Sequence, residues 1–208
     1  MISVDLANTS IRDLNERLHK LPPDTNERAW RVLNPKGAHA IAAGLTVPIE
    51  VIVDGHAGVG VGENIMSGEV RVKGNASQSA AASGQGGMVV IEGDASARCG
   101  ISMKGVNIIV GGSVGHMSAF MAQTGNLVVC GDAGGSLGDS IYEAKLYIQG
   151  SVESLGADCI EKKLTPEHVA KLERLLARAG IKADAKRFRR YGSARKLYNF
   201  HTDHADAY

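Results

Sequence analysis

Aromatic residues are scarce in this chain, nine in 208 (three Phe, five Tyr and one Trp). An interior built from so few rings must rely on small aliphatic side chains, which argues against a roomy aromatic-lined ligand pocket. Proline is scarcer still, with five residues and none between positions 50 and 165. Cysteine is limited to Cys99, Cys130 and Cys159, spaced 31 and 29 residues apart. That spacing fits neither a disulfide framework nor a CxxC metal site, so buried thiols are expected. No stretch approaches the roughly 20 apolar residues of a membrane helix. Residues 1–10 have neither the basic nor the apolar segment of a signal peptide. A cytoplasmic location without a membrane partner is therefore expected.

Glycine, by contrast, is abundant, with 26 residues, 22 of them within 47–160. Gly55, Gly74, Gly93, Gly112, Gly131 and Gly150 recur every 19 residues without an insertion. Four positions before them stand Val51, Val70, Val89, Ile108, Leu127 and Leu146, and two before them Val53, Val72, Ile91, Val110, Val129 and Ile148. Two positions after come Ala57, Ala76, Ala95, Val114, Ala133 and Val152; seven after, Gly62, Ala81, Gly100, Ala119, Gly138 and Ala157. The row ten after is mostly apolar: Ile65, Gly84, Met103, Ala122, Ile141 and Ile160.

Alternation before the glycine describes a short strand with one buried face. The glycine is expected to turn the corner through its tolerance of positive φ. One coil cannot bury its own face, whereas coils stacked at about 4.8 Å pair every strand with the next. The reading is a mainly β protein, a right-handed parallel β-helix of about six 19-residue coils with short flanking helices. Leucine-rich repeats need an L-x-x-L-x-L pattern, propeller blades need twice this period, and left-handed hexapeptide helices need a multiple of six.

Three segments follow: 1–46 as an N-terminal helix and cap, 47–163 as the β-helix, and 164–208 as a C-terminal helix with a basic and aromatic tail. Ser10 with Asp13 resembles a capping box, followed by Ile11, Leu14, Leu18 and Leu21 at helical spacing. Thr165 is an N-cap candidate with Pro166 at the first helical position, Val169, Leu172, Leu175 and Leu176 as the apolar face, and Gly180 as the stop. Both helices are expected to cover open ends of the column. The net charge of +1 hides an asymmetry, because 161–208 holds 12 of 23 Lys and Arg but 6 of 22 Asp and Glu. Lys186, Arg187, Arg189, Arg190, Arg195 and Lys196 interleave there with Phe188, Tyr191, Tyr198 and Phe200, a tail expected to dock on an acidic partner subunit and not on nucleic acid, with a merely solvated tail as the alternative.

Reactive chemistry is hard to assemble from this pattern. Gly58, Gly60 and Gly62 form GVGVG, which lacks the spacing and following helix of a phosphate loop and reads as structural turning. His56 and His116 occupy different rows and do not stack. Asp94 and Asp132 share a row with His56, Asn75, Ser113 and Ser151, which suggests turn chemistry and not a carboxylate pair. His201, Asp203 and His204 are a weak metal set. No catalytic, cofactor-binding or metal-binding residue is assigned.

The pattern in VRVKGNA, VVIEGDA and LVVCGDA resembles the GXGXG β-helix at the C-terminal end of the glutamate synthase large subunit, and also the C subunit of formylmethanofuran dehydrogenase. The strings NPKGAHAIAAGL, ENIMSGEVRVKGNASQSA, SARCGISMKG, GSVGHMSAFMAQTG and GDSIYEAKLYIQGSVESLGADCIEK, with SIRDLNERLHKL before them, more closely resemble the stand-alone GXGXG subunit of N-methylglutamate synthase (methylamine-glutamate N-methyltransferase). That resemblance implies a hetero-oligomer with a glutamine amidotransferase-like subunit and an FMN-binding glutamate synthase-like subunit. FMN and an iron-sulfur cluster are expected in the latter, no cofactor in this chain, and no catalytic residue carries over. An independent β-helix hydrolase or lyase is the reading from another class.

Overall fold

The aliphatic pair before each repeat glycine stacks vertically. In the computed structural model, which describes residues 1–196, these pairs lie on successive four- to seven-residue strands of one parallel ladder. The elements are β1 (Ile2–Asp5), α1 (Ile11–His19), β2 (Ala29–Leu33), β3 (Glu50–Val53), β4 (Glu69–Val72), β5 (Met88–Ile91), β6 (Lys104–Val110), β7 (Thr124–Val129), β8 (Lys145–Ile148), β9 (Cys159–Lys162), α2 (Pro166–Ala179) and β10 (Arg189–Ser193). Strands β1 to β8 follow one another in order, and β10 inserts between β8 and β9. The register joins Val51, Val70, Val89, Ile108, Leu127 and Leu146 in one row. These six and the six at minus two are all fully buried. The protein is a mainly β parallel solenoid of about six turns with two short helices.

The second side of each coil is a single parallel bridge, running Ala57, Ala76, Ala95, Val114, Ala133 and Val152. The third side contains no regular strand. Its residues alternate into the left-handed region, as at Ser79 (φ 60°), Ala81 (φ 54°) and Ser83 (φ 53°). For a residue with a Cβ that conformation costs about 1–2 kcal/mol. Neighbouring coils offset it: Ser79 N donates to Ala97 O (3.0 Å), Ala81 N to Val61 O (2.9 Å) and Ser83 N to Ile101 O (2.8 Å), alternately up and down the column. The row of small residues seven after the glycine sits at these bends.

The repeat glycines have a different purpose from the one their spacing suggests. Only Gly55 has positive φ (141°). At Gly74, Gly93, Gly112, Gly131 and Gly150 an added Cβ would collide with His56 Nδ1, Asn75 Oδ1, Asp94 Oδ1, Ser113 Oγ and Asp132 Oδ1 of the coil below. Those atoms form a continuous polar ladder. Each accepts the backbone N–H one coil onward: Asn75 N to His56 Nδ1 (2.9 Å), Asp94 N to Asn75 Oδ1 (3.0 Å), Ser113 N to Asp94 Oδ1 (2.8 Å), Asp132 N to Ser113 Oγ (2.9 Å) and Ser151 N to Asp132 Oδ1 (2.6 Å). From Gly74 to Gly150 the corner glycines are required by this close approach, not by φ.

At the N-terminal side the stack begins before the first repeat glycine. Trp30 and Val32 of β2 pair with Val51 and Val53, and α1 inserts Leu14 and Leu18 into the same core. Asp13 N donates to Ser10 Oγ (3.1 Å), as the capping pattern predicts. The final turn is one residue short, with Leu137 bridging Leu155. Cys159 therefore takes the inward place expected of Ile160, which is 44% exposed.

Two outcomes are expected. Ala95→Leu inserts volume into a filled row and should lower the unfolding free energy by about 1–3 kcal/mol in urea titrations. Hydrogen bonds from the Ser151 N–H and hydroxyl hold the Asp132 carboxyl below its ordinary pKa. The folded state thus binds that proton less readily than the unfolded chain, and the associated stability is present above about pH 4 and lost as pH falls through the folded value. Asp132→Asn should remove this acid-dependent component, seen as a flatter urea midpoint between about pH 5 and pH 2.

Candidate functional site

The strands are apolar on both faces in the later coils: MVVI, NIIV, NLVV and KLYI. Their outward residues Val90, Ile109, Val128 and Tyr147 are fully buried, beneath Leu172, Leu175, Leu176 and Ala179 of α2. Helix α2 thus covers the side of the column, not its end as expected. Burial on both faces was the readable signal, because a strand with one wet face alternates. The lengths agree: 14 residues rise about 21 Å, against about 19 Å for the four strand spacings from β4 to β8.

Both ends of α2 are fastened. Thr165 N donates to His168 Nδ1 (3.2 Å). Burial, Arg190 and Lys145 hold the His168 pKa below its ordinary value, which favours the neutral ring that such an acceptor requires. Gly180 closes the helix in the left-handed conformation (φ 67°). Arg71 Nη1 donates to Ala179 O (2.9 Å), placing a cation at the negative end of the helix dipole. Arg71 Nη2 also donates to Glu69 Oε1 (2.9 Å).

The end of the column is closed instead by β10, antiparallel to β8 and β9. Its basic and aromatic residues belong to the fold. Phe188 and Tyr191 are buried, Arg189 Nη2 donates to Gly150 O (3.0 Å) and Arg190 Nε to Lys163 O (3.0 Å). The segment read as a docking tail thus includes the closing strand β10, which ends at Ser193. Tyr198, Phe200, His201, Asp203 and His204 lie outside the described residues.

Helix α2 leaves a cleft of about 440 Å³ along one flank. Lys171, Arg174 and Arg178 wall it from the helix, Lys145 from β8, and Asn107 and Asn126 line the sheet side. A second cleft of about 430 Å³ also borders Arg178 and reaches Arg28, Glu50 and Glu69.

The sequence candidates do not converge on either cleft. His56, Asp94 and Asp132 are rungs of the corner ladder, and the His116 carbonyl accepts from Arg98 N (2.9 Å). Gly60 and Gly62 of GVGVG are left-handed turn residues (φ 74° and 63°). Among the described residues no three His, Cys, Asp or Glu side chains gather as a metal set, and no helix is long and apolar enough to cross a membrane. Cys99 and Cys159 are buried and Cys130 half-buried.

No family model matches the chain. It is, however, 52% identical over 225 aligned residues to Protein GlxC of Rhizobium meliloti (strain 1021), with 99% of each chain covered. The chain belongs to the GlxC family. In this GlxC-family solenoid the clefts beside α2 come from the packing of a helix on an apolar sheet face, and the polar residues of the repeat are spent on stacking.

Burial pushes the thiols of Cys99 and Cys159 up to about 12 and that of Cys130 up to about 11. Thiolate is the reactive form. A chromogenic thiol reagent at neutral pH should therefore label the native GlxC-family protein slowly and all three cysteines promptly in denaturant.

Proposed function

We propose that this chain is a non-catalytic coupling subunit of a glutamate synthase-like N-methylglutamate synthase complex, which converts methylamine and L-glutamate to N-methyl-L-glutamate and ammonia. The observation that carries this reading is the uninterrupted 19-residue GXGXG-like repeat realised as a dry solenoid. The strings of the repeat resemble the stand-alone subunit of that complex, and the full-length likeness to GlxC fits a dedicated chain of this kind.

The role follows from the physics of the column. Twelve fully buried aliphatic residues in two vertical rows leave no room inside for substrate. Each coil adds a fixed rise of about 4.8 Å, so the solenoid sets distance and orientation between whatever docks on its faces. Catalysis then belongs to an amidotransferase-like partner and to an FMN-binding partner with an iron-sulfur cluster. FMN supplies redox chemistry in that partner. This chain holds the two active sites in register in the cytoplasm.

Purification of the tagged full chain from its native cells tests the proposal. The expected result is stoichiometric recovery of two further subunits with flavin and iron-sulfur absorption. A colourless chain eluting alone, or one active by itself on a polysaccharide, overturns it.

A further inference from the structure

The cleft beside α2 is charged in an unusual way for a surface the fold has built. Four cations, Lys145, Lys171, Arg174 and Arg178, line it, and no carboxylate does. Arg178 reaches Glu69 at 3.6 Å, but Lys145, Lys171 and Arg174 make no ion pair among the described residues. Elsewhere the same sheet face neutralises its charge: Arg71 on β4 pairs with Glu50, Glu69 and Glu92. Burial and the neighbouring charges of Lys145 and Arg174 press the Lys171 pKa below its ordinary value. Like charges held together along one cleft lower stability unless an anion joins them.

A second observation narrows the anion. Asn107 and Asn126 stack in one row, with Asn126 Nδ2 donating to Asn107 Oδ1 (2.7 Å). Asn126 is only 4% exposed, yet its Oδ1 accepts no hydrogen bond from the described residues. A buried amide oxygen without a donor costs roughly 1–3 kcal/mol. The site therefore combines cations that need carboxylates or phosphates with a polar wall of Asn107 and Asn126. A polypeptide with acidic side chains offers carboxylates for the cations together with backbone groups for the polar wall.

The shape agrees. The cationic cleft follows the helix along the strand row Asn107, Asn126 and Lys145, while the neighbouring cleft beyond Arg178 carries Glu50 and Glu69 and lies outside the site. Two strand spacings give it a length of about 10 Å, the span of roughly three extended residues. Such a trough, open to solvent along its length, suits a chain segment better than a small molecule, which a binding pocket encloses on most sides.

We propose that the trough between α2 and the sheet docks an extended acidic segment of a partner subunit, with its carboxylates against Lys145, Lys171 and Arg174. This rests on the reading of the chain as a subunit of a larger complex.

The test uses the purified complex and a zero-length carbodiimide reagent, which joins amines to carboxylates in direct contact. Mass spectrometry should find Lys145 or Lys171 linked to an Asp or Glu of a co-purifying subunit. In parallel, K171E/R174E should reduce retention of that subunit about tenfold at moderate salt. Its thermal midpoint should match the unmodified chain, and the control Arg12→Glu on α1 should leave retention unchanged. Cross-links confined to other lysines, or full retention by K171E/R174E, overturn the docking site while the subunit reading stands. An unmodified chain that captures no partner overturns the subunit reading itself. If the isolated chain binds L-glutamate or inorganic phosphate in calorimetry, loses it in K171E/R174E and keeps its partners, the trough belongs to a small anion and the proposal is wrong.

Discussion

Vertical backbone pairing between coils is the constraint on which this protein depends. A coil must return after 19 residues so that its N–H and C=O groups meet those of its neighbours one strand spacing away, about 4.8 Å. On the strand side this is ordinary parallel pairing. On the third side it is satisfied only because residues such as Ser79, Ala81 and Ser83 enter the left-handed region and send their N–H groups alternately up and down. At the corner the same closeness excludes a Cβ, and a ladder of short polar side chains from His56 to Ser151 fills the gap.

That constraint explains why the repeat's polar residues do not form a catalytic constellation. Asp94, Asp132 and His56 each accept a backbone N–H of the next coil. The aliphatic rows fill the interior. What remains for interaction is the outside of the column, and there the decisive piece is α2. It lies along the stack, covers the second apolar face, is tied at its end by Arg71 and presents its basic flank to the trough. A rigid body whose length counts coils and whose charge is concentrated beside one helix is suited to hold other proteins at set positions.

The periodic rows were legible without coordinates: all twelve aliphatic positions before the repeat glycines are fully buried. The reason for the glycines was not, since spacing cannot distinguish a positive φ from a close approach. The last turn shows the limit of counting. One missing residue moves the inward place from Ile160 to Cys159, and a 19-residue frame cannot register a deletion that leaves no gap in pattern. The double apolarity of MVVI and NIIV was present to be read, as the mark of a second covering layer.

By itself the sequence determined the period, the inward rows and hence the parallel stacking, because each residue's place depends only on the one 19 positions away. Only the tertiary structure decided where α2 and β10 dock. Their positions depend on which apolar face and which strand edge remain uncovered once the coils have stacked, and a local pattern carries no record of that. The cationic trough is a product of that second step. Lys145 and Lys171 stand on different elements, and it is the packing of α2 on the sheet, not their spacing in the chain, that brings them to one cleft.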